Sequence, residues 1–260
     1  METPTASIDG ELMATAEARI PVTDEGLQRG DGVFEMIRLY AGRPYATDRH
    51  LARMARSAES IQLPIDVGGL ARDVDRLLAA GAPAEDAALR LMVTRGGRRI
   101  LIIEKLPSFP TSMTLACVTY SPVRLLDGVK SLSYAANVLA GRLAREQGFD
   151  DALLVTPHGR VLEAPTSSFF WVKDAELLTP PLEDRVLDSI TRRLILDVVG
   201  GREAITTRDD LDRADEAFLV SSLREVTPVH RIDTVELPAD GPVTRATAQE
   251  VAARIRAELG

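Results

Sequence analysis

The sequence predicts an α+β protein in two domains, and three observations carry that reading. Short apolar runs bounded by Gly and Pro recur along the chain and read as strands. Between them lie stretches with apolar residues at helical spacing. A Pro-containing connection, SPVRLLDG, separates a strand-rich first half from the helix that follows it. This places a small domain at 1–120, a linker at 121–127 and a larger domain at 128–260.

In order, ASIDGELM reads as strand turned at Gly10. Val33, Glu35, Ile37 and Leu39 alternate with Phe34, Met36, Arg38 and Tyr40, an amphipathic strand that turns at Gly42. Gly30 and Gly32 precede it, and a GDG segment by itself reads as a turn. DRHLARMARSAESIQLP reads as a helix capped by Asp48, striped by Leu51, Met54 and Ala58, and ended by Pro64. His50 and Arg53, three residues apart near its start, share a face that is either solvated or an anion site. GLARDVDRLLAAG gives a second helix, and ALRLMVTRGG, RILIIEKLP and TSMTLACVTY three strands. Arg90 lies among apolar strand residues while Arg98 and Arg99 look surface-like; all three can be read as carboxylate binders.

The stretch from Gly128 to Val172 holds the most informative chemistry. Lys130 comes just before or within the start of a helix striped by Val138, Leu139, Leu143 and Ala144, with Arg142, Arg145, Glu146 and Gln147 opposite and Gly148 as its stop. ALLV, TPHGR and VLEAPTSSFFWV then read as a hairpin whose second strand contains Glu163. A buried carboxylate is costly unless paired, so Glu163 either faces solvent on an edge strand or has a partner. A lysine and a strand carboxylate together suggest a pyridoxal phosphate site, with the lysine forming the Schiff base and the carboxylate partnering the pyridinium nitrogen. Downstream, a strand, a Pro180-Pro181 break and a helix from about Ser189 to Val199 follow. Ile190 and Thr191 at its start offer backbone N–H groups and a hydroxyl to a phosphate. A strand then ends in Ser221 and Ser222, another follows, and a terminal helix is capped near Thr244.

Composition bounds the remaining possibilities. A chain of 260 residues with 45% hydrophobic and 27% charged residues is long enough to bury a sizeable core. A net charge of −8 without a basic run disfavours nucleic acid as a partner. The single cysteine, Cys117, leaves no internal disulfide and no Cys/His ligand cluster, which fits a reducing cytoplasm and no metal. The first residues lack a basic start with an apolar run, and no 18-residue apolar stretch occurs, so secretion and membrane spanning are disfavoured.

Seven segments in register, RGDGVFEMIRLY, RHLARMARSAESI, LRLMVTRG, VKSLSYAANVLA, GRVLEAPTSSFFWV, LDSITRRLI and FLVSSLREVTPV, resemble the class IV, or fold type IV, pyridoxal phosphate enzymes. These are the branched-chain aminotransferases, D-amino-acid aminotransferases and aminodeoxychorismate lyases, and the resemblance runs from about Ile20 to Asp233. It implies a smaller N-terminal α/β sandwich domain, a larger C-terminal pseudo-barrel domain, pyridoxal 5'-phosphate as cofactor and a homodimer. Lys130 matches the Schiff-base lysine, which also shuttles the substrate proton; Glu163 matches the carboxylate at the ring nitrogen. Arg53, Ile190, Thr191 and Ser222 match contacts to the cofactor phosphate. Phe34, Arg38 and Arg90 fall on the substrate side, in segments similar to branched-chain-type ones. Ser168 stands where the family commonly has asparagine, and SIT where it commonly has GIT.

The implied reaction is transfer of an amino group between a branched-chain-type L-amino acid and an α-keto acid. The alternatives are an aminodeoxychorismate lyase, which would eliminate pyruvate, and a D-amino-acid or (R)-amine transaminase. The D-amino-acid type commonly carries an arginine-x-histidine pair, and no histidine follows Arg98 and Arg99. A non-catalytic binding protein of the same fold would lack the lysine or the glutamate, and both are present.

Overall fold

The structure is a computed structural model and describes residues 5–260. The first expected strand is a hairpin, β1 (Ala6–Ile8) and β2 (Glu11–Met13), turned at Asp9-Gly10. A short helix, α1 (Glu25–Arg29), leads into β3 (Gly32–Tyr40), which turns through Ala41 and Gly42 into β4 (Arg43–Pro44). Helices α2 (Thr47–Ser60) and α3 (Val67–Gly81) precede β5 (Ala87–Thr94) and β6 (Arg99–Lys105). Among the described residues these strands form a six-stranded sheet in the order β2-β1-β6-β5-β3-β4.

Period two sorts that sheet into two faces. Val33, Ile37 and Leu39 join Leu89, Leu91, Val93 and Leu101 on the side packed by Leu51, Met54 and Ala58 of α2 and Leu70, Val74 and Leu77 of α3. Each such buried Leu contributes roughly 2 kcal/mol of hydrophobic stabilisation. Helix α2 starts at Thr47 rather than behind an Asp48 cap: Ala46 is its N-cap, in a left-handed conformation, and Asp48 sits in the first turn, where the helix dipole favours a carboxylate. It also stops at Ser60, four residues before Pro64, because Gln62 takes φ 53° and Leu63 N–H turns back to Ala58 O.

The rest of the chain supplies β7 (Met113–Thr119), α4 (Ala135–Glu146), β8 (Asp151–Val155), β9 (Ser168–Lys173), β10 (Glu176–Thr179) and α5 (Ile190–Val198). It continues through β11 (Arg202–Glu203), α6 (Arg208–Leu211), β12 (Glu216–Ser221), β13 (Glu225–Ile232), β14 (Val235–Glu236) and α7 (Pro242–Leu259). A second sheet, eight-stranded, runs β11-β10-β9-β12-β13-β7-β8 with β14 against β13. Leu115, Leu153, Phe169, Trp171 and Leu219 fill one side of it; Ala116, Ala152 and Leu154 pack beneath α4 on the other. Burial on both faces explains why LLV and FFWV are continuous apolar runs rather than alternating ones.

The chain divides into two compact units, one of residues up to Pro107 with Val129–Tyr134, the other of Ser108–Gly128 with Ala135–Glu258. The boundary expected after residue 120 therefore moves. Strand β7 belongs to the second sheet because it pairs in parallel with β8 and β13, partners far away in sequence. The segment around Lys130 belongs with the first unit, where it bonds to β3.

Three further expectations change. The buried face of α4 is Ala140, Gly141 and Ala144, small residues that let the helix lie close to β8, whereas Val138, Leu139 and Leu143 are 41%, 53% and 39% exposed. The segment VLEAPTSSFFWV is not one strand: residues 160–163 pair with β8, a tight turn over Ala164–Ser167 follows, and β9 then pairs with β10 and β12. Helix α7 starts with Gly241 as cap and Pro242 as first residue, while Thr244 N–H and Oγ1 both donate to the buried Glu216, each at 2.7 Å. Among the described residues no helix is long and apolar enough to cross a membrane.

Candidate active site

Lys130 lies on an extended segment five residues before α4, not within the helix. Phe34 N–H donates to Lys130 O at 3.0 Å, Leu132 N–H donates to Gly32 O at 2.9 Å, and Val33 bridges Ser131. The GDG glycines permit this approach. A Cβ on Gly30, at φ 68°, would come within 2.8 Å of Ser133 Oγ, and one on Gly32 within 2.4 Å of Val93 O. On the other side Lys130 N–H donates to Ser57 Oγ of α2 at 3.1 Å.

The lysine side chain is half-buried and its Nζ lies 4.4 Å from the centroid of the Phe34 ring and 5.8 Å from that of Tyr134. The two rings meet edge to face at 5.3 Å. Both ring faces attract an ammonium, so cation–π contacts hold the amine beside the two rings. The chain has three lysines. Lys105 is exposed at the end of β6 and Lys173 lies beside Asp174 and Asp215 on the surface, which leaves Lys130 as the one in an aromatic setting.

Behind β3 lies a buried charge cluster. Glu35, fully buried in the apolar phase of the strand, accepts from Arg53 Nε at 2.6 Å on Oε1 and from Arg53 Nη2 at 2.6 Å on Oε2. His50 Nδ1 bonds Oε2 at 2.8 Å. Burial pushes the Glu35 carboxyl up, but the Arg53 charge and hydrogen bonds and the His50 bond outweigh it and hold the pKa at about 2, against an ordinary 4.5. Burial pushes the His50 imidazole down; Glu35 opposes this, while Arg53 and Lys130 add to it. An ionised carboxylate can only accept, so His50 Nδ1 carries the proton and donates.

Acid stability follows from these shifts. A carboxyl pKa lowered from 4.5 to about 2 contributes about 3 kcal/mol that is fully present above pH 4.5 and lost as pH falls towards 2. His50, lowered from 6.5, adds to the loss: below pH 6.5 the unfolded chain takes up a proton that the folded core resists. Urea unfolding at pH 7, 5 and 3 is expected to show this fall, and a Glu35→Gln/His50→Gln double variant to show a shallower one.

On the other face of this sheet, cross-strand pairing sets Phe34 beside Met92 and Met36 beside Arg90, with Arg38 opposite Ala88. The arginines expected on the substrate side already hold carboxylates of their own chain. Arg90 makes a two-point pair with Glu104 at 2.6 and 3.0 Å, and Arg38 bonds Asp86 at 2.9 Å while lying over the Tyr40 ring. Arg98 pairs with Asp9 and Arg99 with Asp73, so these two tie β6 to the β1 turn and to α3.

In the second unit, Glu163 sits where residues 160–163 run beside β8: Leu154 N–H donates to Glu163 O, and Leu162 N–H to Leu154 O, both at 2.9 Å. Its side chain is half-buried and Oε1 accepts Leu187 N–H at 2.9 Å, which ties the carboxylate to the loop entering α5. Ser189 caps that helix, its Oγ accepting Arg192 N–H at 3.3 Å, and Ile190 and Thr191 form the buried first turn. Ser222 lies half-buried in the loop between β12 and β13, just past Ser221, the last residue of β12. The hydroxyls of Ser167 and Ser168 are buried and meet no protein partner, a polar lining that suits a polar ligand. Tyr120 is also close: burial pushes its phenol up, and the Glu163 charge adds to the shift.

Sequence reading thus named Lys130, Arg53, Glu163, Ile190, Thr191 and Ser222, and the structure puts the first two in one unit and the others in the second. It missed Glu35, Tyr134 and Tyr120. Glu35 left a trace, a carboxylate in the Val33, Ile37, Leu39 phase; Tyr134 and Tyr120 left none.

The family model described as amino-transferase class IV matches residues 32–232. The chain belongs to the class IV aminotransferases. Class IV aminotransferases transfer amino groups and depend on pyridoxal 5'-phosphate, so this protein is an enzyme of that kind. A putative branched-chain-amino-acid aminotransferase of Methanocaldococcus jannaschii is 33% identical over 251 residues, covering 87% of each chain. A D-alanine aminotransferase of Bacillus licheniformis is 30% identical over 262 residues, covering 91% of this chain and 92% of its own. In structure, this class IV aminotransferase superposes on a branched-chain aminotransferase of Thermoproteus uzoniensis solved with norvaline, with a TM-score of 0.91 and 27% identity over 99% and 96% of the two chains.

Proposed function

We propose that the enzyme transaminates a branched-chain-type L-amino acid with an α-keto acid, using Lys130 as its catalytic amine. The observation that carries the lysine role is the pair of rings, Phe34 and Tyr134, whose faces keep the half-buried amine in place. Pyridoxal phosphate, when bound, supplies an aldehyde that condenses with amines and a pyridine ring that withdraws electrons from the substrate Cα. Lys130 Nζ would be the amine that attaches the group and would carry the proton removed from the substrate Cα. Glu163, its carboxylate oriented by the Leu187 N–H, would keep a proton on the ring nitrogen. Arg53, the first-turn N–H groups of Ile190 and Thr191 with the Thr191 hydroxyl, and Ser222 hold the phosphate.

The residues fit such a group: an amine, a guanidinium, a helix start, a tethered carboxylate and two buried hydroxyls without partners. On the substrate side, Phe34, Met36 and Met92 offer an apolar surface suited to an aliphatic side chain, and Arg38 and Arg90 lie among them to receive a carboxylate. Because each arginine is already paired, the attraction they exert is partly neutralised, which favours one substrate carboxylate over two.

The M. jannaschii relative supports the branched-chain reading, and the B. licheniformis relative supports a second, D-alanine as donor. The chain's three histidines are His50, His158 and His230, so no arginine-x-histidine pair stands at Arg98–Arg99, which favours the first. The relatives compared are aminotransferases, and nothing favours the lyase. A homodimer is supported by the exposed stripe Val138, Leu139 and Leu143 on α4, a surface that a second copy would cover; full activity at a monomeric mass in solution contradicts it. A cytoplasmic location is supported by the absence of any disulfide pair in the sequence.

The donor test is spectroscopic. Adding L-leucine, L-valine, D-alanine and D-leucine singly to the holoenzyme is expected to discharge the visible cofactor band with the L-branched donors. Discharge by D-alanine and not by L-leucine overturns the substrate assignment in favour of the second reading.

A further inference from the structure

We infer that Glu35 is a positioning residue for the cofactor phosphate site: with His50 behind it, it fixes the plane of the Arg53 guanidinium so that a single edge of that group faces the phosphate. The inference rests on the proposal that Arg53 is a phosphate ligand and goes beyond it by naming what orients Arg53.

Glu35 interrupts the apolar phase of β3, between Val33 and Ile37, where a leucine or methionine would pack without any desolvation cost. Replacing buried ion pairs by apolar residues of similar volume is often neutral or stabilising, so such a pair is weak support for a role in stability and invites another explanation. Its geometry supplies one. Arginine carries five N–H donors in one plane, and two of them, on Nε and Nη2, meet the two Glu35 oxygens at 2.6 Å each. Two parallel bonds fix position and also rotation about the long side-chain axis, which a single bond would leave loose. They commit the Nε/Nη2 edge to Glu35, so a phosphate held by Arg53 would be met through the adjacent Nη1/Nη2 edge. The carboxylate is itself held: His50 donates to Oε2 at 2.8 Å.

All three groups of α2 that matter lie on one helix face, His50, Arg53 and Ser57, at spacings of three and four residues. Ser57 Oγ accepts the Lys130 backbone N–H at 3.1 Å. The helix face that sets the guanidinium therefore also sets the backbone of the catalytic lysine. A tilt of Arg53 would loosen the phosphate grip without touching the chemistry of the amine.

The test compares pyridoxal 5'-phosphate with pyridoxal, which lacks the phosphate. Affinities of both for the cofactor-stripped full chain are measured through quenching of Trp171 fluorescence, for the wild type, Glu35→Gln and Arg53→Gln. Arg53→Gln and Glu35→Gln are both expected to lower the ratio of phosphate-form to pyridoxal affinity, Glu35→Gln by about tenfold, the scale on which outer-shell partners act on the groups they orient. Pyridoxal affinity itself is expected to stay unchanged. If Glu35→Gln lowers both affinities equally, or leaves the ratio unchanged while Arg53→Gln lowers it, the inference is overturned and Arg53 stays at the phosphate. If Arg53→Gln leaves the ratio unchanged, the phosphate assignment itself is wrong. Should Glu35→Gln not fold, Glu35→Asp keeps the charge but shortens the reach, and the same comparison applies: a lowered ratio supports the positioning role and an unaltered one refutes it.

Discussion

Lys130→Ala is expected to abolish transamination, with the rate constant falling by at least about 10⁴-fold, since in the proposed role one change removes both the covalent attachment point and the base that works on Cα. The fold should survive. Lys130 is held to β3 and α2 through its backbone N–H and carbonyl, and an alanine keeps both bonds. What the substitution removes is the ammonium lying between Phe34 and Tyr134, a loss of about 1 kcal/mol of cation–π attraction at a half-exposed site. The variant should capture pyridoxal phosphate slowly and without a covalent bond. Steady-state rates with the best donor, with unfolding curves as a control, check this. A well-folded variant with undiminished turnover would mean that Lys105 or Lys173 serves, although both lie on the surface.

Glu163→Gln is expected to slow turnover by about 10³-fold, the range seen when one charge-stabilising group is removed from a developing anion. A glutamine side-chain oxygen can still accept the Leu187 N–H, so the loop entering α5 should remain in place. An amide, however, cannot keep a proton on a pyridine nitrogen, and the ring then draws electrons from Cα less strongly. The slowing should fall on Cα–H cleavage: the deuterium isotope effect with an α-deuterated donor should rise while cofactor affinity changes little. An equal loss in cofactor affinity with no change in the isotope effect would assign Glu163 to holding the cofactor alone.

Local elements were legible where their cause was local. The β3–β4 hairpin followed from strict alternation and Gly42, and α5 from Ser189 followed by apolar helical spacing. What escaped depended on partners distant in the chain. Strand β7 reads like its neighbours β5 and β6, but its parallel pairing with β8 and β13 moves it to the other sheet. On α4 the large apolar residues drew attention, yet the packed face is the small one, because Ala140, Gly141 and Ala144 permit close approach to β8. Pro165, with no N–H to offer a ladder, marks the break after Glu163; the apolar run beyond it hid that signal.

In the site, residues whose chemistry is unusual for their place were the readable ones. Lys130 and Glu163 drew notice in that way. Arg38 and Arg90 were read as carboxylate binders, and Asp86 and Glu104, which they already hold, became visible as partners only through strand register. Glu35 was visible as a carboxylate in an apolar phase, but its meaning needed Arg53 and His50, which a helix brings in from fifteen and more residues away.

The most direct test of the account is borohydride reduction of the holoenzyme followed by peptide mass analysis. The account predicts the reduced cofactor on the peptide containing Lys130 and on neither of the peptides containing Lys105 and Lys173. Label on either of those, with Lys130 unmodified, would contradict it.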